Sequence, residues 1–200
     1  MSGRSTVGRR APALVLTALI AVVLILVVVM AIVIRNPGAG TSRTATSPTV
    51  VACPAVAPVK VGAIVVPAGP VAGYCQDRLV NAAHIINAAR SFGIGTHTQA
   101  VGVMTAMGES GLQNLPHGDA AGADSRGLFQ QRANGMWGTL ADRMTPYIAA
   151  HNFFAALIRV PGWKTLSPTQ AAHAVQINQD GNYYTQYWGA AVEVVSVLNG

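Results

Sequence analysis

The chain contains only two glutamates, and one of them, Glu109, sits in the run Ala106-Met107-Gly108-Glu109-Ser110-Gly111. The preceding residues, from Thr98 onward, are largely apolar and read as a helix that Gly111 stops. A carboxylate near the C-terminal end of a helix opposes the negative end of the helix dipole. That field and partial burial both raise its pKa. A carboxylic acid kept neutral near pH 6 to 7 suits general acid chemistry, delivering a proton to a departing oxygen. Charge placement alone allows a plain alternative, a solvated helix-end glutamate.

Two cysteines, Cys53 and Cys75, are the other candidate reactive groups. In an exported chain a disulfide between them is expected. A thiolate at Cys75, lowered in pKa by a helix N-terminus and paired with a histidine base, is the competing possibility and would make a Cys75-dependent peptidase. The five histidines show no HExxH or Cys/His metal spacing, and no G-x-S-x-G elbow or phosphate-binding glycine loop occurs. No metal and no cofactor is expected.

The elements that would position these groups follow from periodicity. Asp77 to Arg90 places Leu79, Ala83 and Ile86 at helical spacing and ends at Phe92-Gly93. Thr98 is expected to cap a second helix running to about Ser110. Thr145-Pro146 and Ser167-Pro168 each set a capping hydroxyl before a proline at the first helical position, opening helices toward Ile158 and Gln176. A last helix from about Asn182 puts Tyr184, Tyr187, Ala191, Val194 and Leu198 on one stripe. Between Gly111 and Gly138 turn formers dominate, which predicts loop with short strands. The fold class is mainly α, or α+β.

The whole chain is organised in four parts. Mean hydropathy is +0.39 with 10% charged residues, values raised by the uncharged run Ala11 to Ile34. At helical rise this run spans about 36 Å, enough for a bilayer core. Residues 1–10 carry Arg4, Arg9 and Arg10, which favours the N-terminus inside and the rest of the chain outside the cytoplasmic membrane. The run is longer than a signal peptide's apolar region and is expected to remain as an anchor. Residues 35–70 hold six of the eleven prolines and read as a flexible linker. Residues 71–200 read as the single packed domain. There seven basic groups balance seven acids, so the net charge of +6 comes from the N-terminal part and argues against a nucleic-acid partner.

The order of motifs is more specific than any one of them. Glu109-Ser110-Gly111-Leu112, Asn114, Gly118-Asp119, Asp124-Ser125-Arg126-Gly127-Leu128-Phe129-Gln130-Gln131-Arg132 and Trp137-Gly138 follow one another, with Phe153-Phe154, Gln176 and Tyr184 further on. This set resembles the lysozyme-like domains of soluble lytic transglycosylases and their actinobacterial exported relatives, over about residues 98 to 192. The resemblance implies a lysozyme-like helical domain that cuts the glycan strands of peptidoglycan, with Glu109 as catalytic acid and Ser110 as supporting hydroxyl. It further implies that Gly127, Leu128, Phe129 and Gln130 form a strand segment lining the sugar cleft, and that Tyr184 lies near the acid, although the apolar stripe also allows Tyr184 a core role. Ala120 to Ala123 widen the gap between the Gly-Asp pair and the following segment. Either Asp119 or Asp124 could therefore be the second carboxylate that a hydrolytic mechanism requires, and either could be a turn former. A non-catalytic wall-binding or scaffold module on the same fold is the other function class. An export or conjugation apparatus is a possible partner.

Overall fold

The computed structural model describes residues 51–120 and 122–200. They belong to one compact unit, Thr49–Gly200, which is mainly helical with one small sheet. Strands β1 (Val59–Val61) and β2 (Ile64–Val66) form a hairpin. Helices α1 (Gln76–Ser91), α2 (Thr96–Ser110), α3 (Leu140–Met144), α4 (Pro146–Leu157), α5 (Pro168–Val175) and α6 (Trp188–Asn199) follow, with short 3-10 turns at Trp163–Thr165 and Tyr183–Tyr187.

Helix α2 is the axis of the fold. Every residue from Gln99 to Met107 is buried, because α1, α4, α5 and α6 pack around it. The sequence Ala-Val-Gly-Val-Met-Thr-Ala-Met is apolar on all sides for this reason. Gly102 allows the closest approach: a Cβ there would stand 2.5 Å from Cζ of Phe154 on α4. Thr105, the one hydroxyl in the run, is satisfied by its own helix, donating to the Val101 carbonyl at 2.7 Å.

The β-hairpin lies inside the stretch 35–70 that composition marks as linker, and it corrects the boundary at residue 71. Val59 pairs with Val66, Lys60 with Val65 and Val61 with Ile64. Ile64 and Val66 are buried while Val65 between them is 54% exposed, so one face of the hairpin joins the core. Pro58 and Pro67 bracket this short alternating run without interrupting it. The Asn87 side chain of α1 donates to the Val61 carbonyl at 2.8 Å. Cys53 and Cys75 are joined in a disulfide that fastens the segment before the hairpin to the start of α1. With no free cysteine among the described residues, the thiolate alternative at Cys75 has no nucleophile.

Other boundaries also move. Gly95, not Thr98, precedes α2. The Thr145 hydroxyl donates backward to the Ala141 carbonyl at 2.8 Å and leaves the start of α4 to Pro146. Ser167 and Gln170 do form a reciprocal cap on α5. The C-terminal segment opens as a 3-10 turn and becomes α-helical only from Trp188. Between Gly111 and Gly138 the described residues make isolated bridges, Leu115 with Gly127 and Arg126 with Gln131, in place of strands. The candidate anchor 11–34 lies outside the described residues. Among those described, no helix is long and apolar enough to cross a membrane.

Candidate active site

Glu109 stands one residue before the end of α2, half-buried at one wall of an open cleft of about 660 Å³. The local sequence places it there. Gly111 takes the left-handed conformation that stops the helix, and Gly108 makes room for two rings. A Cβ at Gly108 would lie 2.8 Å from Cδ1 of Tyr184 and 3.0 Å from Cε1 of Tyr183. Both tyrosines use that space. The Tyr183 hydroxyl donates to the Gly108 carbonyl at 2.8 Å, and the Tyr184 hydroxyl donates to Oε1 of Glu109. Tyr184 is at once fully buried and bonded to the carboxyl group, so its core and site roles coincide.

Burial is the largest influence on Glu109 and raises its pKa above the usual carboxylate value. The Tyr184 hydrogen bond pulls it back, and the negative charge of Asp119 pushes it up again. The two ion pairs among the described residues, Arg78 with Asp77 and Arg132 with Asp124, leave Glu109 without a cation. Burial and then the Glu109 charge drive Tyr184 far above the ordinary phenol range, so it remains a hydrogen-bond donor at any working pH. Tyr183 is pushed up to about 12, chiefly by burial.

The residues 126–131 face Glu109 as a tight turn, not as the strand expected. Arg126 and Gln131 exchange backbone hydrogen bonds at 3.0 and 3.1 Å, and Gly127 donates to the Leu115 carbonyl at 2.8 Å. Gly127 has φ of +76°, and a Cβ there would run into the Arg143 carbonyl oxygen. Leu128 and Phe129 are fully buried, Phe129 stacking on Phe153 at 4.9 Å, so they anchor the turn and do not line the cleft. Gln130, at φ of +45°, is the member of the segment that reaches the cleft. Ser110 connects the two sides. Its hydroxyl lies 2.8 Å from the Leu128 carbonyl and 3.1 Å from that of Ala106, and it accepts from the Gln113 amide at 3.2 Å. It positions the turn against the helix end.

Asp119 and Asp124 separate clearly. Asp119 lines the cleft and its Oδ1 closes a turn by accepting the Gly122 amide at 2.8 Å. Asp124 is absent from the cleft lining. The amide of Ala133 at 2.9 Å and the Arg132 guanidinium at 2.7 Å hold it, and its pKa falls to about 2. Asp124 is therefore corrected to a loop-pinning carboxylate.

Arg143 and Asn178 were not singled out by sequence reading, and Gln176 was named there only within the motif order. Arg143 is buried beneath the loop and donates to the carbonyls of Asp124 and Gln131, both at 3.0 Å. Gln176 lines the cleft and donates to the Phe129 carbonyl at 2.7 Å. Asn178, also on the cleft, has its side-chain amide buried beside the Tyr184 hydroxyl. Arg143 and Gln176 act through backbone carbonyls, a role that no motif encodes. Among the described residues no group of His, Cys, Asp and Glu is disposed to hold a metal. No family model matches the chain, and no curated protein was found to be similar to it.

Proposed function

We propose that the chain is a membrane-tethered, extracytoplasmic enzyme that cuts the glycan strand of peptidoglycan on a lysozyme-like helical domain. The observation that carries this reading is Glu109 itself: half-buried at the cleft wall, without an ion-pair partner among the described residues, raised in pKa, and held by Tyr184. A carboxyl group in that state can protonate the glycosidic oxygen between N-acetylmuramic acid and N-acetylglucosamine. As the bond to the anomeric carbon breaks, the oxygen leaves as a hydroxyl. Glu109, now a carboxylate, takes the proton of the attacking C6 hydroxyl of the same muramic acid, which closes a 1,6-anhydro ring and returns Glu109 to its starting state. No second carboxylate is needed. Gln130 and Gln176 supply amides in the cleft for saccharide groups, and no cofactor enters the reaction.

One observation favours hydrolysis as the second reading. Asp119 shares the cleft with Glu109 and could activate water in place of the C6 hydroxyl. Mass spectrometry of fragments released from purified peptidoglycan in ¹⁸O-labelled water separates the two. Anhydromuramic ends are expected; reducing ends carrying the label would assign hydrolysis, with Asp119 as the group to substitute.

A further inference from the structure

A second depression of about 400 Å³ lies between α4 and the end of α5, lined by Met136, Asn152, Ala155, Ala156, Arg159 and Val175 among others. It is not separate from the cleft. Ile177 lines both and is 88% exposed, so it forms the crest between them. Exposed isoleucine and methionine side chains at the rim of a concavity, Met136 being 63% exposed, mark a surface built to be covered. The floor is made of alanine and valine methyls. Arg159, at one end, has no side-chain hydrogen bond and no ion pair among the described residues. This distinguishes it from Arg132, which Asp124 engages. Asn152 donates its Nδ2 to the Trp137 carbonyl at 3.2 Å and keeps its Oδ1 open.

We infer that this depression receives the peptide branch of the wall polymer, its alanine methyls on the apolar floor and a free carboxylate on Arg159. The inference rests on the proposed function, because a muramyl residue seated beside Glu109 must send its peptide out of the cleft. Ile177 is the crest over which the branch passes. A neutral saccharide would satisfy the methyl floor poorly and would leave the guanidinium without a counter-charge, whereas a short acidic peptide rich in alanine matches both.

The test uses the full chain carrying Glu109→Gln, which prevents turnover, and two soluble probes: an N-acetylglucosaminyl-muramyl disaccharide with its acidic peptide and the same disaccharide without it. Calorimetry should show the peptide-bearing probe binding about tenfold tighter at low salt. Adding Arg159→Gln should reduce that preference by roughly three- to fivefold, an exposed ion pair's share, and high salt should reduce it similarly. Ile177→Ser should remove much of the remainder. A preference that is absent, or that survives Arg159→Gln and salt, overturns the inference. So does an equal loss for both probes, which would make the depression a saccharide subsite. In each of these cases wall cleavage by the unsubstituted chain still stands; binding of neither probe would overturn both readings.

Discussion

At the residue scale the proposed chemistry turns on one proton. General acid catalysis needs Glu109 protonated, so the rate falls as pH rises through its pKa, and burial moves that fall above the ordinary carboxylate range. The Tyr184 hydroxyl favours the ionised form because it donates to the carboxylate. Tyr184→Phe removes this stabilisation and should shift the alkaline limb of the kcat profile to higher pH, while kcat drops roughly 10- to 100-fold because the carboxyl group loses its orientation. An unmoved or acid-shifted limb would contradict the role given to Tyr184. The place of Glu109 at the end of an apolar helix was legible in the sequence, but charge placement left a solvated glutamate equally open until motif order was added. Its tyrosine partner was legible only through motif order. The choice between Asp119 and Asp124 was not legible, since it depends on which carboxylate Arg132 and the Ala133 amide capture.

At the scale of elements, what positions the chemistry is the junction between the end of α2 and the 126–131 turn. Ser110, Gln176 and Arg143 all bond to carbonyls of that loop or turn. Gly127 is the tightest point, with a left-handed φ and a carbonyl in the space a Cβ would fill. Gly127→Ala should therefore destabilise the domain by about 2 to 4 kcal/mol in urea denaturation, and should lower activity even where the protein remains folded. A neutral effect on both would remove the turn from the account. Helices α1, α4 and α5 could be read from periodicity and proline placement. The β-hairpin could not, because its three-residue strands are set among prolines and their burial depends on α1 lying across them. The strand segment that the resemblance implied over Gly127 to Gln130 is not formed, because φ values of +76° at Gly127 and +45° at Gln130 impose a turn.

At the scale of the whole molecule, the disulfide fixes the segment before the hairpin to the start of α1 across a sequence separation of 22 residues. A loop of that size contributes about 3 kcal/mol. The Cys53→Ala/Cys75→Ala double variant should lose about that much stability, as should the reduced protein, while cleavage of peptidoglycan persists below the lowered melting temperature. Loss of cleavage on alkylation of reduced but folded protein would bring back a thiol mechanism. Charge balance and the helical class came from composition and periodicity, whereas the domain's true beginning, before residue 71, required the packing of Ile64 and Val66. The most direct test of the central claim compares the full chain with its Glu109→Gln variant on purified peptidoglycan, measuring soluble glycan fragments released per unit time. Glutamine keeps the shape and removes both the titrating proton and the half-buried charge. The account predicts a fall of about 10²- to 10⁴-fold with a melting temperature at least equal to that of the unsubstituted chain. Undiminished release by Glu109→Gln would contradict it.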